Sequence, residues 1–401
     1  VSFNSFDKKK KKNRVLISME STTSTALRFR CDREDLLAAI QAADAVVPSN
    51  SAKPIITNLL FDAKPDHLEV IATDLQVGLR SVVKAVQVEQ PGQAVVQARQ
   101  LASILKESRS QTVELFLDQR GDTHQLAIRL VDGDYQVPAV VGETFPSVPF
   151  FPEDVPTISI NGKRFDEMVR QTVFGMDKDR TSAVLSGIFF SIGQGELVLA
   201  STDGKLLCEA VEKNDSFTLG DENVQVVVPA VTINHLQRIM GTAGAETVTL
   251  AFANKLLFVR LSSVGNLRIE LTSRLVEGNF PSYRNALPMN TPAGVTFATL
   301  DLASAVRRAA LMTNQTSRGI IMQLERDQAV FSNLNYTNGS ARIPVTCSYA
   351  GSSLRLGINA QYLGDVLKVF KSEKITLELS RGLIMREPGV TYLLMPITLP
   401  N

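Results

Sequence analysis

Glu277-Gly278-Asn279-Phe280-Pro281-Ser282-Tyr283-Arg284-Asn285-Ala286-Leu287-Pro288 follows a strand-like run, carries a glycine and two prolines, and precedes a new alternating run. That composition marks a crossing between two folded units. A shorter echo stands at Gly142-Glu143-Thr144-Phe145-Pro146-Ser147-Val148-Pro149, and the two Phe-Pro pairs are 135 residues apart. The spacing implies that a whole domain is repeated between them.

Working outward from the two Phe-Pro pairs, the same plan appears three times. In the first unit Leu27-Arg28-Phe29-Arg30-Cys31 alternates as a half-buried strand does, and Asp32 caps a helix with Leu36, Leu37 and Ile40 on one face. Strands are expected at Asn58–Phe61, Leu68–Thr73 and Ala94–Gln97. A second helix from Arg99 to about Ser108 buries Leu101, Ile104 and Leu105, and three more strands close the unit. The second unit repeats this order. Its Ala200-Ser201-Thr202-Asp203 echoes Ile71-Ala72-Thr73-Asp74 at a distance of 129 residues, and the third unit has Ser332-Asn333 there. A period near 130 residues is far above that of solenoid repeats, so each repeat reads as a domain. The fold class is α+β: three domains, 26–149, 150–288 and 289–401, each with two helices on antiparallel sheet.

The bulk numbers fit this reading. Of 401 residues, 44% are hydrophobic and 21% charged, as in ordinary globular chains. No membrane span or signal peptide is evident. Cys31, Cys208 and Cys347 are scattered, which argues against disulfides and cysteine zinc sites and for a cytoplasmic home. The formal charge is +1, but residues 1–18, with Lys8 to Lys12 in a row, carry +5, leaving about −4 for the rest. Residues 1–25 are therefore expected to form a disordered basic tail.

Against that acidic body, the polar helix faces stand out. The second helix of the first unit offers Arg99 and Lys106, flanked by Arg109. The second unit's helices offer Arg170 and Arg238, and the third unit's offer Arg307, Arg308, Lys368 and Lys371; Lys53 and Arg180 join the set. A basic surface without base-reading motifs contacts phosphate and holds a duplex without choosing sequence. An enzymatic reading has little to stand on. Ser103 and Lys106 fit S-x-x-K, the only opening for a hydrolase, yet no S-D-N or K-T-G accompanies them. The histidines are isolated, so no metal or cofactor is implied. Asp74 and Asp203 are expected to accept backbone hydrogen bonds in the turns after their strands.

Together, Ile71-Ala72-Thr73-Asp74-Leu75, Ala200-Ser201-Thr202-Asp203-Gly204, the 277–288 stretch and the terminus Tyr392-Leu393-Leu394-Met395-Pro396-Ile397-Thr398-Leu399 resemble the bacterial DNA polymerase III beta subunits, the sliding clamps. The likeness runs over residues 26–401. It implies a non-catalytic processivity factor: a head-to-tail homodimer whose six domains form a ring with twelve helices around duplex DNA. Twelve helices about 10 Å apart enclose a clear diameter of roughly 28 Å, enough for a duplex.

The resemblance further implies a peptide pocket between the second and third units. It would receive the polymerase III alpha subunit, the clamp loader, repair polymerases and mismatch-repair proteins. Its matching positions are Leu185, Thr202, Gly204, Lys205, Leu206 and Leu207; Pro281, Asn285 and Ala286; Asn359 and Tyr362; and Met395, Pro396, Ile397, Thr398 and Leu399. Lys205-Leu206, Asn285 and Thr398 depart from the family's usual His-Arg and arginines. The implied dimer contact sets Tyr135 against Leu311 and Met312 of the other copy.

Overall fold

The computed structural model describes residues 26–120, 123–220, 223–262, 266–288, 294–313, 318–334 and 339–399. The basic tail at 1–25 lies outside them.

The first unit runs β1 (Arg28–Asp32), α1 (Arg33–Asp44), β2 (Leu59–Ala63), β3 (Leu68–Thr73), β4 (Val77–Val83), β5 (Val86–Gln90), β6 (Gly92–Val96), α2 (Ala98–Glu107), β7 (Thr112–Arg120), β8 (Thr123–Leu130) and β9 (Gly133–Val140). The second runs β10 (Thr157–Asn161), α3 (Gly162–Thr172), β11 (Gly187–Gly193), β12 (Glu196–Thr202), β13 (Leu206–Lys213), β14 (Val224–Pro229), α4 (Ala230–Ala243), β15 (Thr247–Ala253), β16 (Leu256–Ser262) and β17 (Leu267–Arg274). The third runs β18 (Gly294–Ala298), α5 (Thr299–Ala310), β19 (Gly319–Glu325), β20 (Gln328–Asn333), β21 (Arg342–Thr346), β22 (Leu354–Asn359), α6 (Ala360–Val369), β23 (Lys374–Leu379), β24 (Leu383–Glu387) and β25 (Val390–Leu394).

Asp32 caps α1 as its sequence suggests, accepting from the backbone N–H of Glu34 and Asp35. β4 and β13 carry no alternation to find. Every residue of Val77–Val83 is buried, and so are the first five of Leu206–Lys213, because both faces of these strands are covered. A reading by alternation accordingly passes over β4 and β13.

Those unread strands join the units. β17 lies antiparallel against β4 with Leu271 opposite Leu79, and β25 against β13 with Tyr392 opposite Cys208. The result is a 13-stranded sheet spanning units one and two, an 8-stranded sheet spanning two and three, and a 4-stranded sheet in the third. Each internal joint is thus an unbroken hydrogen-bonded ladder over buried side chains, where an unpaired backbone group costs about 1–3 kcal/mol. The helices cover one side. α2, α1, α4, α3, α6 and α5 pack as successive neighbours in a single row across all three units.

The two Phe-Pro segments cross the opposite side of the sheets. In the first, Arg80 Nη2 donates to the Val148 carbonyl at 3.1 Å, and Thr272 Oγ1 donates to the Pro149 carbonyl at 3.2 Å. The Arg80 guanidinium lies 3.5 Å from the Phe150 ring centroid, and Arg260 covers Phe151 at 4.0 Å while pairing with Glu153 at 2.7 Å. In the second, Phe280 stacks on Phe189 at 4.9 Å, the Tyr283 hydroxyl donates to Glu209 at 2.7 Å, and Arg386 Nη2 donates to the Pro288 carbonyl at 3.0 Å. Each segment is therefore a strap bonded to both units that it joins.

Gly78 leaves the slot that seats the first strap. A Cβ there would stand 2.6 Å from Val148 Cγ1. Gly78→Val is expected to lift the strap and lower stability by about 1–3 kcal/mol, the usual cost of overpacking, read as a lower urea midpoint at unchanged m-value.

Candidate functional site

Two turns at the internal joints are built alike. Asp74 Oδ1 accepts from the N–H of Gln76 at 2.9 Å and Val77 at 2.6 Å, and Asp203 Oδ1 accepts from Lys205 and Leu206 at 2.9 Å each. This is the role expected for both aspartates. Each also reaches across its joint with the other oxygen: Asp74 Oδ2 lies 3.5 Å from His235 Nε2 on α4, and Asp203 Oδ2 accepts from the Tyr362 hydroxyl on α6. In the third unit Asn333 occupies the position, donating to the Gly339 carbonyl and accepting from Ala341 N–H, both at 2.8 Å within its own loop.

Around the second turn four segments meet. The turn is tied to the chain end, since Met395 N–H donates to the Lys205 carbonyl at 2.8 Å; the end is tied to β22, since Ile397 N–H donates to the Gly357 carbonyl at 2.8 Å. Gly357 is required there, because a Cβ would stand 2.6 Å from the Ile397 carbonyl oxygen. Asn359 caps α6 through Gln361 and Tyr362 N–H. Leu185, Thr202, Asn359, Tyr362, Ile397 and Leu399 are half-buried, whereas Gly204, Lys205, Pro281, Asn285, Ala286, Met395, Pro396 and Thr398 are exposed. Leu206 and Leu207 differ from the rest. Strand alternation sends Leu206, fully buried, into the third unit's core and Leu207, 5% exposed, against Ile384, Leu393, Tyr283 and Leu287. Both are buried, unlike the half-buried and exposed positions expected to form a pocket with them.

Three models of the DNA polymerase III beta subunit family match this chain: the N-terminal domain over residues 27–149, the central domain over 159–282 and the C-terminal domain over 284–398. The chain belongs to the DNA polymerase III beta sliding clamp family. Its members are non-catalytic processivity subunits. The beta sliding clamp of Pseudomonas putida is 27% identical over 380 residues, covering 93% of this chain and 100% of the relative; that of Bacillus subtilis is 23% identical, covering 92% and 99%. The solved beta subunit of Pseudomonas aeruginosa superposes with a TM-score of 0.82 at 26% identity, over 93% of this chain and 100% of that one. The Thermotoga maritima beta subunit has the same score and coverage at 21% identity, a likeness of fold.

As a clamp chain it presents its cations on the helix row and the segments beside it. Lys53, Arg99, Lys106, Arg109, Arg170, Arg180, Arg238, Arg307, Arg308, Lys368 and Lys371 are all exposed. Several already have partners: Arg170 with Asp166 at 2.7 Å, Lys368 with Asp365 at 2.8 Å, and Lys371 with Glu167 across the second joint at 2.8 Å. Exposed pairs of this kind contribute at most about 1 kcal/mol, so they leave the cations available to phosphate. Arg238 is committed more firmly, its Nη1 donating to the Ala45 carbonyl across the first joint at 2.9 Å. The Ser103 hydroxyl donates to its own helix at the Arg99 carbonyl, and Ser103 and Lys106 are both exposed, so the S-x-x-K spacing is a helix surface. Among the described residues no helix is long and apolar enough to cross a membrane.

Sequence reasoning missed Glu209, on which the second strap is anchored, and the reach of Asp203 and Asp74 across the joints. The repeated Thr-Asp pair was the available signal. It also missed a cavity of about 230 Å³ beside the strap, lined by Phe189, Ser191, Gln225 and residues 280–285.

At the first joint, burial pushes the Asp74 carboxyl up, but the neighbouring His235 ring and the hydrogen bonds from the Val77 and Gln76 N–H groups outweigh it and hold the pKa below the ordinary value. A depressed folded pKa stabilises fully above the unfolded value, about 3.9 for aspartate, and that stabilisation disappears as the pH falls through the folded value. Asp74→Asn is expected to lower the melting temperature at pH 7, with the gap to the unchanged chain closing below about pH 4; a melting series across that range reads it.

Proposed function

We propose that two copies of this chain close head to tail into a six-unit ring that encircles duplex DNA and tethers the replicative polymerase. The observation carrying this reading is the inequality between the internal joints and the chain's two open ends. Inside the chain, the last strand of each following unit pairs with the fourth repeated strand of the unit before it. At the ends the same two edges are open: β21 borders the 4-stranded sheet, and β9 is met by β6 only at Ala139 and Val140.

Side chains repeat the pattern. The residues just past the first helix are covered at the first joint, Ala45 at 4% and Val46 at 1% exposure, and at the second Phe174 stacks on Tyr392 at 5.9 Å. In the third unit the corresponding Leu311 is 77% exposed, and Tyr135 on β9 is 43% exposed. A second copy bringing β9 and Tyr135 to β21, Leu311 and Met312 covers both, and such a heterologous contact stays soluble because the ring closes.

In that ring the helix row faces the hole. Mixed charges on it give weak, sequence-blind, salt-sensitive attraction, which permits sliding while topology prevents escape. In this reading the 203–205 turn, the second strap, the start of α6 and the 395–399 tail form a groove of aliphatic walls with few polar anchors, suited to short peptide segments. The partners assigned to it are the polymerase III alpha subunit, the clamp loader, repair polymerases and mismatch-repair proteins.

Two outcomes are expected. Leu311→Asp with Met312→Asp places charge in the joint and yields monomers in sedimentation velocity; a persistent dimer refutes the arrangement. Loaded by its clamp loader onto nicked circular DNA at moderate salt, the protein is retained until the circle is linearised, then lost from the ends; equal retention on both forms rules out a topological clamp.

A further inference from the structure

We infer that Asp203 is a positioning residue of the partner-peptide groove: it holds the second unit's turn with one carboxylate oxygen and the third unit's Tyr362 with the other, fixing the separation of the two walls. This rests on the reading that peptides dock in that groove.

The bonds define the role. Oδ1 accepts from Lys205 and Leu206 N–H, which sets the turn, while Oδ2 accepts from the Tyr362 hydroxyl. Tyr362 is held at its other end as well, its backbone N–H donating to the Asn359 side chain at 3.3 Å. The residue between these two anchors is half-buried, so part of it remains accessible. Burial, reinforced by Asp203, pushes the Tyr362 phenol up, so it is a protonated donor at neutral pH.

Comparison of the three units isolates what is particular to the second joint. At the first joint Asp74 also reaches across, to His235, but the chain after β17 runs straight into the second strap. At the second joint the chain after β25 becomes the 395–399 segment, pinned to the same turn through Met395 and Lys205. In the third unit Asn333 bonds through its amide to Gly339 and Ala341 of its own loop. Of the two internal joints, the second is the one that combines a carboxylate reaching across with the exposed Met395 and Pro396 beside it.

The test uses fluorescence polarisation of a labelled synthetic peptide copying the clamp-docking segment of the DNA polymerase III alpha subunit, titrated with the full chain. Tyr362→Phe is expected to weaken binding about 3- to 10-fold, the scale of one hydrogen bond, at unchanged sedimentation and melting temperature. Asp203→Ala should weaken it at least as much, and the double variant should bind no more weakly than Asp203→Ala alone. Asp203→Asn, whose amide can keep the turn with its oxygen and donate to the Tyr362 hydroxyl, should recover to within about 2-fold of the unchanged chain. Tyr362→Phe binding like the unchanged chain, or fully additive effects, overturns the inference. Pro281→Glu separates the two levels of the reading. If it abolishes binding while Tyr362→Phe has no effect, the groove stands and the role of Asp203 falls; if it binds normally, both fall.

Discussion

The constraint on which everything else depends is that a strand edge buried between two units must find a hydrogen-bonding partner. β4 and β13 offer such edges, and β17 and β25 take them, so the sheets run on from unit to unit. A joint of this kind fixes both the distance and the direction from one unit to the next, because register and twist are set by the ladder itself. Repeating one joint geometry along a chain produces an arc. The helices, packed on one side only, follow that arc as an unbroken row.

The straps show how a conserved backbone plan can be held by different chemistry. At the equivalent place on the fourth repeated strand the first unit has Arg80, donating to a strap carbonyl, and the second has Glu209, accepting from Tyr283 and Arg284 on its strap. Donor and acceptor have exchanged sides. Burial pushes the Tyr283 phenol up, which keeps it protonated as the donor that Glu209 needs. A strap bonded to both neighbours resists shear along the ladder in a way that the ladder alone does not, since its contacts lie on the opposite face from the helices.

On the helix row the electrostatics are moderate. Arg170, Lys368 and Lys371 are paired with carboxylates, and the formal charge of the whole chain is only +1. In the proposed ring strong attachment would oppose sliding, and closure would make it unnecessary. The second joint follows a different logic. The second unit's turn, the start of α6 and residues 395–399 meet there, and Asp203 and Tyr362 tie the two units together.

By itself the sequence determined the period, the two helices of each unit with their buried stripes, the α+β class and the turn-forming role of Asp74 and Asp203. Those signals are local: amphipathic spacing, Phe-Pro pairs and an aspartate following a strand report on a residue and its near neighbours. The family likeness then implied which segments form a peptide pocket. Only the tertiary structure decided which edges pair, because β4 and β13 are buried on both faces and carry no alternation. It decided too that Leu206 and Leu207 are both buried, since a pair of adjacent leucines does not say which face of its strand is covered. The reach of Asp203 to Tyr362 spans 159 positions of the chain, and no pattern within either segment encodes it. The strap at 277–288 belongs to both kinds of knowledge: its composition marked a crossing, and the fold made the crossing a brace between two units.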